Sequence, residues 1–200
     1  MKLEITVPDG KCGKWAVETF EITERDASYS RVREVLRPGS MVSPGIYKRL
    51  MRGNTVVMSN TQMEVRTNRP VIHAATGRVL INGLGLGMVL TAILQKDCVH
   101  EVWVIESSVE VIQLVGPSFT DHRVRIIHAD AMTYVPPKGV RFDVVWHDIW
   151  DGISAANLDE MIVLHRRYAQ RTRWQASWAR AECEELRRRD RKFESNLLYG

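Results

Sequence analysis

The spacing of apolar positions along the chain changes character twice. Through about residue 60, short alternating runs are broken by turn formers: ITV before Pro8-Asp9-Gly10, then Trp15, Val17, Phe20 and Ile22, then Tyr47 to Met51 and Thr55 to Met58. Alternation bounded by Gly, Pro and Asn predicts a small antiparallel lobe over residues 1–60. Its clearest hairpin flanks Gly53-Asn54, a pair that tolerates the positive φ of a tight reversal.

From Gly77 the apolar runs become nearly continuous and are separated by helix-length spacers. They are RVLING, a helix over about Leu86 to Gln95, EVWVIE, a helix near Val109 to Val115, VRIIHAD and FDVVWHD. Strands buried on both faces and joined by helical crossovers belong to parallel sheets. The predicted fold class is therefore α/β, a doubly wound, mostly parallel, Rossmann-like sheet over residues 61–156. Beyond Asp151 the pattern turns helical: Asn157 and Glu160 stand at capping-box spacing ahead of Met161, Leu164 and Tyr168, and a second helix is predicted from about Trp174 to Arg191. No further β-branched run follows, so the sheet is predicted to stop after its fourth strand, with residues 157–200 as a basic helical extension. A fourth strand with a bare edge needs a cover, which predicts the C-terminal helices or a second subunit over it and hence a homo-oligomer, most simply a dimer.

Composition fits a folded globular chain: 44% hydrophobic and 26% charged residues, with 13 Gly and 7 Pro in 200. Cys12, Cys98 and Cys183 are far apart and form no CxxC, which argues against a disulfide framework or a zinc knuckle and favours buried thiols in a reducing compartment. Glu4 and Pro8 stand where an export signal needs an apolar centre, and the most apolar stretch, Val79 to Leu94, is too short for a bilayer and carries Asn82. A cytoplasmic protein without membrane contact is expected. The net charge of +4 is local, since residues 165–200 hold ten Arg and Lys against five Asp and Glu.

Gly83, Gly85 and Gly87 directly follow a predicted strand and open a helix, the place where backbone approaches a nucleotide without a Cβ in the way. Glu106 ends the next strand, within reach of ribose hydroxyls. A dinucleotide GxGxxG would need glycine where Met88 stands, whereas GxGxG is satisfied, so an adenosyl sulfonium cofactor fits better than NAD. No GKS or GKT follows, which excludes an NTP loop. Asp130 is placed to accept from an adenine amino group while Ala131 offers its N–H to the ring; Asp130 equally stands where it would cap the segment after it. Asp148 and Asp151 lie past the fourth strand, where carboxylates can hold an amine or sulfonium or accept a proton from a nucleophile. His147 alternates to the other face and reads as a packed histidine. Trp174 and Trp178, with Arg171, Arg173 and Arg180 interleaved, leave a nucleic-acid platform open, but the buried stripe of an amphipathic helix is favoured.

Together the leader YKRLMRGNTVVMSNTQME, the run GRVLINGLGLGMVL, the acid of VWVIE, the HADA corner and DIWD resemble the class I S-adenosylmethionine-dependent methyltransferase superfamily. Within it they are similar to the spermidine synthase-like branch, over about residues 45–155. The resemblance implies S-adenosylmethionine, or its decarboxylated form, held by Gly83, Gly85, Gly87, Glu106, Asp130 and Ala131, with Asp148 and Asp151 facing a small-molecule substrate and no metal. Departures fall on the polyamine side: Met58 replaces a glutamine, Met63 an acid before Glu64, and Thr67-Asn68 a Tyr-Gln pair, while Ser108 and Gly152 replace an aspartate and a proline. Methyl transfer to an unidentified acceptor is the expected function; the alternatives are aminopropyl transfer and a non-catalytic cofactor-binding or adaptor module.

Overall fold

A computed structural model of the chain describes residues 3–36 and 42–199. The parts of the predicted segments at 1–2, 37–41 and 200 lie outside these residues. The N-terminal region forms a four-stranded antiparallel sheet in sequence order: β1 (Gly10–Cys12), β2 (Trp15–Ile22), β3 (Gly45–Arg52) and β4 (Thr55–Ser59). The β3–β4 hairpin turns at Gly53, whose φ of 59° is the left-handed value the sequence anticipates. A helix that the alternation does not predict, α1 (Glu24–Leu36), connects β2 to β3. Leu3, Ile5 and Val7 alternate into the core as expected without joining a ladder.

Two short helices, α2 (Gln62–Thr67) and α3 (Arg69–Ala74), lead into a five-stranded sheet. Its strands are β5 (Gly77–Asn82), β6 (Val99–Glu106), β7 (Val124–His128), β8 (Phe142–His147) and β9 (Thr172–Ser177), in the order β7-β6-β5-β8-β9 with every pairing parallel. The crossovers carry α4 (Met88–Leu94), α5 (Val109–Val115) and α6 (Asn157–Tyr168), and α7 (Arg180–Tyr199) follows β9. Period-two alternation sorts the two faces. Val79, Ile81, Val102, Val104, Val144 and Trp146 pack toward α3, α4 and α5, whereas Leu80, Ile105 and Val145 pack toward Leu164 and Tyr168 of α6. The sheet is doubly wound and Rossmann-like, and chain reversal occurs beside β5, so the cleft opens at the carboxyl ends of β5 and its neighbours.

Several expectations need correction. The sheet does not end at its fourth strand: β9 pairs along β8 from Phe142↔Thr172 to His147↔Ser177, and the helix expected from Trp174 begins at Arg180. A separation of four residues is even, so Trp174 and Trp178 suit one face of a strand as well as one face of a helix. Ala179 takes the turn between β9 and α7 at a φ of 51°, rare for a residue with a side chain. Because β9 pairs with β8, the sheet edge passes from β8 to β9, and the argument for a second subunit over the β8 edge no longer holds. The capping box at α6 does not form: Asn157 donates to Gly152 O and Glu160 accepts from Trp150, while Ala156 precedes the helix without a side-chain cap. The stripe Met161, Leu164 and Tyr168 is nevertheless fully buried. Of the thiols only Cys183 is buried; Cys98 is exposed and Cys12 half-buried. Among the described residues, no helix is long and apolar enough to cross a membrane.

Candidate functional site

A cavity of about 340 Å³ opens at the carboxyl ends of β5, β6 and β8, a size within the roughly 300–1,000 Å³ of small-molecule sites. Its floor is the turn after β5. Gly83 N–H donates to Ile105 O at 2.8 Å and Gly87 N–H to Leu84 O at 2.8 Å, which fixes the tight path from strand to helix. Gly83 has a φ of 101° and Gly85 one of 51°. A Cβ on Gly83 would collide with the Asp148 carbonyl oxygen, and one on Gly85 with the Met58 thioether. Both glycines line the cavity. Gly87 does not; it precedes α4 and packs under the Phe119 ring.

Glu106, at the end of β6, is 9% exposed and bridges the two loops beside it. One oxygen accepts from Leu84 N–H at 2.9 Å and the other from Ser108 N–H at 2.8 Å, while Ser108 Oγ caps α5 by accepting from Val111 N–H. The oxygen bound to Leu84 keeps a further lone pair for a ligand hydroxyl, while the one bound to Ser108 also accepts from Ser107 Oγ at 3.5 Å. Asp130 is exposed at the rim, its Oδ1 accepting from Met132 N–H at 2.7 Å, and Ala131 is buried beside it. The same oxygen geometry that could meet an adenine amine also braces the local turn.

Asp148 and Asp151 line the other end. Asp148 N–H donates to Asn82 O at 2.8 Å, which carries the β5–β8 pairing one residue past the strand. Burial, and then the nearby Glu64 carboxylate, push the Asp148 carboxyl up to about 7. Asp151 is not free in the cleft: it forms an ion pair with Arg52 of β3, whose guanidinium lies 5.4 Å from the centre of the Trp15 ring. His147 is packed on the far face as expected. Asn82 Nδ2 donates to its Nδ1 at 2.7 Å, Gln175 Oε1 lies 3.3 Å from its Nε2, and burial pushes its pKa down to about 3, so it stays neutral.

The fold adds residues that the sequence did not single out as functional. Glu64 of α2 lines the cavity, and burial raises its carboxyl to about 7. Met58 of β4 lies on the glycine turn, its Sδ accepting from Leu86 N–H at 3.1 Å. Trp178 closes one side, with Nε1 donating to Thr67 Oγ1 at 3.1 Å, and Trp150 another, with Nε1 donating to Glu160 at 2.6 Å. Among the described residues, no three His, Cys, Asp or Glu side chains converge as metal ligands would.

No family model matches the chain, and no curated protein gives a significant match. Solved structures do match in part. A spermidine synthase from Thermotoga maritima is 18% identical over 79% of this chain and 52% of its own, with a TM-score of 0.45. The 23S rRNA methyltransferase ErmE is 15% identical over 56% of this chain and 44% of its own, also at 0.45. An S-adenosylmethionine-dependent methyltransferase from Mesorhizobium loti is 15% identical over 53% and 49%, at 0.42. The chain thus spans about half the length of these proteins. Its own strand order, β7-β6-β5-β8-β9 and all parallel, makes it a Rossmann-like α/β fold.

Proposed function

We propose that the chain binds S-adenosylmethionine at the turn after β5 and transfers its methyl group to an acceptor seated beside Asp148. The observation that carries the reading is Glu106: a nearly buried carboxylate at the carboxyl end of β6, braced by Leu84 and Ser108 amides, with a lone pair left for a ligand at a cavity floored by Gly83 and Gly85. That arrangement fits a ribose hydroxyl at Glu106 and backbone approach at the glycines, while Asp130 and Ala131 stand at the rim for a base. When bound, the sulfonium supplies an electrophilic carbon, so the protein's work is to align and to desolvate. Glu106 fixes the sugar end. Asp148, partly buried at the opposite end, orients a polar nucleophile and takes the proton it sheds. Asp151 holds Arg52 against Trp15 and so shapes the mouth.

Decarboxylated S-adenosylmethionine and aminopropyl transfer form the second reading, favoured by the acidic character of the acceptor end, where Glu64 and Asp148 oppose a ligand carboxylate. Isothermal titration with S-adenosylmethionine, its decarboxylated form, S-adenosylhomocysteine and NADH tests both. Binding of the adenosyl compounds but not NADH is expected, with Glu106→Ala weakening it by about 1.5–3 kcal/mol for a lost charged hydrogen bond. A folded protein that binds none of the adenosyl compounds overturns the assignment.

A further inference from the structure

The loop after β7 is held from outside the cavity by one side chain. Arg167, in the last turn of α6, donates through Nη1 to Ala131 O at 2.8 Å and Tyr134 O at 3.2 Å, and through Nη2 to Met132 O. Within the loop Asp130 supplies the complementary acceptors: its carbonyl takes Thr133 N–H at 3.0 Å and Tyr134 N–H at 2.8 Å, and its Oδ1 takes Met132 N–H at 2.7 Å. Asp130, Ala131 and Met132 line the cavity, whereas Arg167 stands behind them. Two helical turns earlier on the same face of α6, Glu160 accepts from Trp150 Nε1 at 2.6 Å, and both of these residues line the cavity as well. One helix thus braces the loop after β7 and the loop after β8.

We infer that Arg167 is a positioning residue, which sets the loop Asp130 to Tyr134 so that Asp130 can read the amino group of a purine. The segment DAMTY contains no Gly or Pro to dictate its path. A planar guanidinium with its donors in a rigid fork fixes several carbonyls at once, which a flexible ammonium does not. Apolar packing alone keeps the loop attached: Ala131 is buried with Leu164 and Tyr168 of α6, and Met132 and Tyr134 lie against that cluster. What the guanidinium adds is the register of the carbonyls, and through them the direction of Asp130. The base-reading role rests on the adenosyl binding proposed above; the hold on the loop does not.

The test compares the full chain with Arg167→Met, which keeps an apolar stem and removes the donors. Titration calorimetry uses S-adenosylhomocysteine and S-inosylhomocysteine, in which a carbonyl oxygen replaces the adenine amino group. The parent should prefer the adenine compound by about tenfold or more, since a carboxylate placed for an N–H rejects an oxygen, and the variant should bring the two within about threefold. Hydrogen exchange without ligand should quicken at least about tenfold at the Met132, Thr133 and Tyr134 amides and stay at the parent rate in β5 and β6, whereas a general loss of stability would speed all of them. A preference kept intact by the variant, or unchanged exchange at those three amides, overturns the positioning role. Equal affinities in the parent overturn it too, because no amino group is then being read. Should Arg167→Met fail to fold, Arg167→Lys, whose ammonium cannot span three carbonyls, is judged by the same criteria. If the folded parent binds neither compound, the transferase reading falls, and the exchange rates alone decide whether Arg167 sets the loop.

Discussion

Arg52, the last residue of β3, pairs with Asp151 in the loop after β8, and so ties the antiparallel sheet to the parallel one across the mouth of the cavity. The two side chains are 40% and 42% exposed, so solvent screens them and their net contribution to folding is small. Arg52→Ala or Asp151→Asn should shift urea stability by no more than about 1 kcal/mol, with high salt removing most of the difference. A loss well beyond that would mean that Arg52 acts mainly through its stacking on Trp15.

Gly83 and Gly53 both have left-handed φ values, 101° and 59°, but only Gly83 is crowded by backbone, the Asp148 carbonyl. Gly53→Ala meets nothing nearby and should cost about 1–2 kcal/mol for the unfavourable φ. Gly83→Ala must also push the β8 loop away and should cost about 3 kcal/mol or more. Denaturation of the two variants side by side checks this; equal losses would show that the loop yields freely.

The raised carboxyls of Glu64 and Asp148 carry a signed pH dependence. Both titrate at about 7 when folded, against about 4 in the unfolded chain, so between those values the folded state holds more protons and stability falls as pH rises, levelling above 7. His147, pushed down to about 3, works the other way below its unfolded value, because the unfolded chain then holds the extra proton. Comparing Glu64→Gln with the parent isolates the carboxyl contribution: the variant should gain stability relative to the parent as pH climbs from about 5 to about 8. A constant difference between the two urea midpoints across that range would be the contrary result.

Ending the chain before Arg171 removes β9 and α7 and leaves the β8 edge and Trp146 without their neighbours. An exposed parallel edge invites association, so the shortened protein should be insoluble or aggregate on light scattering. A soluble, cooperatively unfolding product would mean that β9 is dispensable to the sheet.

Strands β5 to β8 were legible because Val, Ile and Leu fill them on both faces, and the glycine turn because three glycines fall at a strand-to-helix junction. β9 was not: TRWQAS has one β-branched residue, and half its positions face α6 with polar groups, Gln175 and Ser177, that hydrogen-bond to His147 and His165. Pattern reads such a strand as a helix face. At the site, Glu106, Asp130 and Asp148 could be placed by strand ends, whereas Arg52, Met58 and Glu64 sit in segments whose only local signal is polarity or alternation. Nothing short of the docking of two sheets brings them to the same cavity. Glu64 had one cue, its match to a glutamate in the resembled leader, but a cue to family is not a cue to burial.

The strand order has a consequence for how the protein is made. β5 lies at the centre of its sheet, and a chain emerging N-terminus first can pair β5 with β6 and β7 early, while its other edge waits for Phe142–His147 and then for Thr172–Ser177. Such distant pairings bear a loop-closure cost before they are rewarded, which slows folding and prolongs the exposure of β5. The cavity follows that order: Asp148 and Trp178, which line it, lie in segments made after its glycine turn, so the cavity walls can close only once β8 and β9 have joined the sheet.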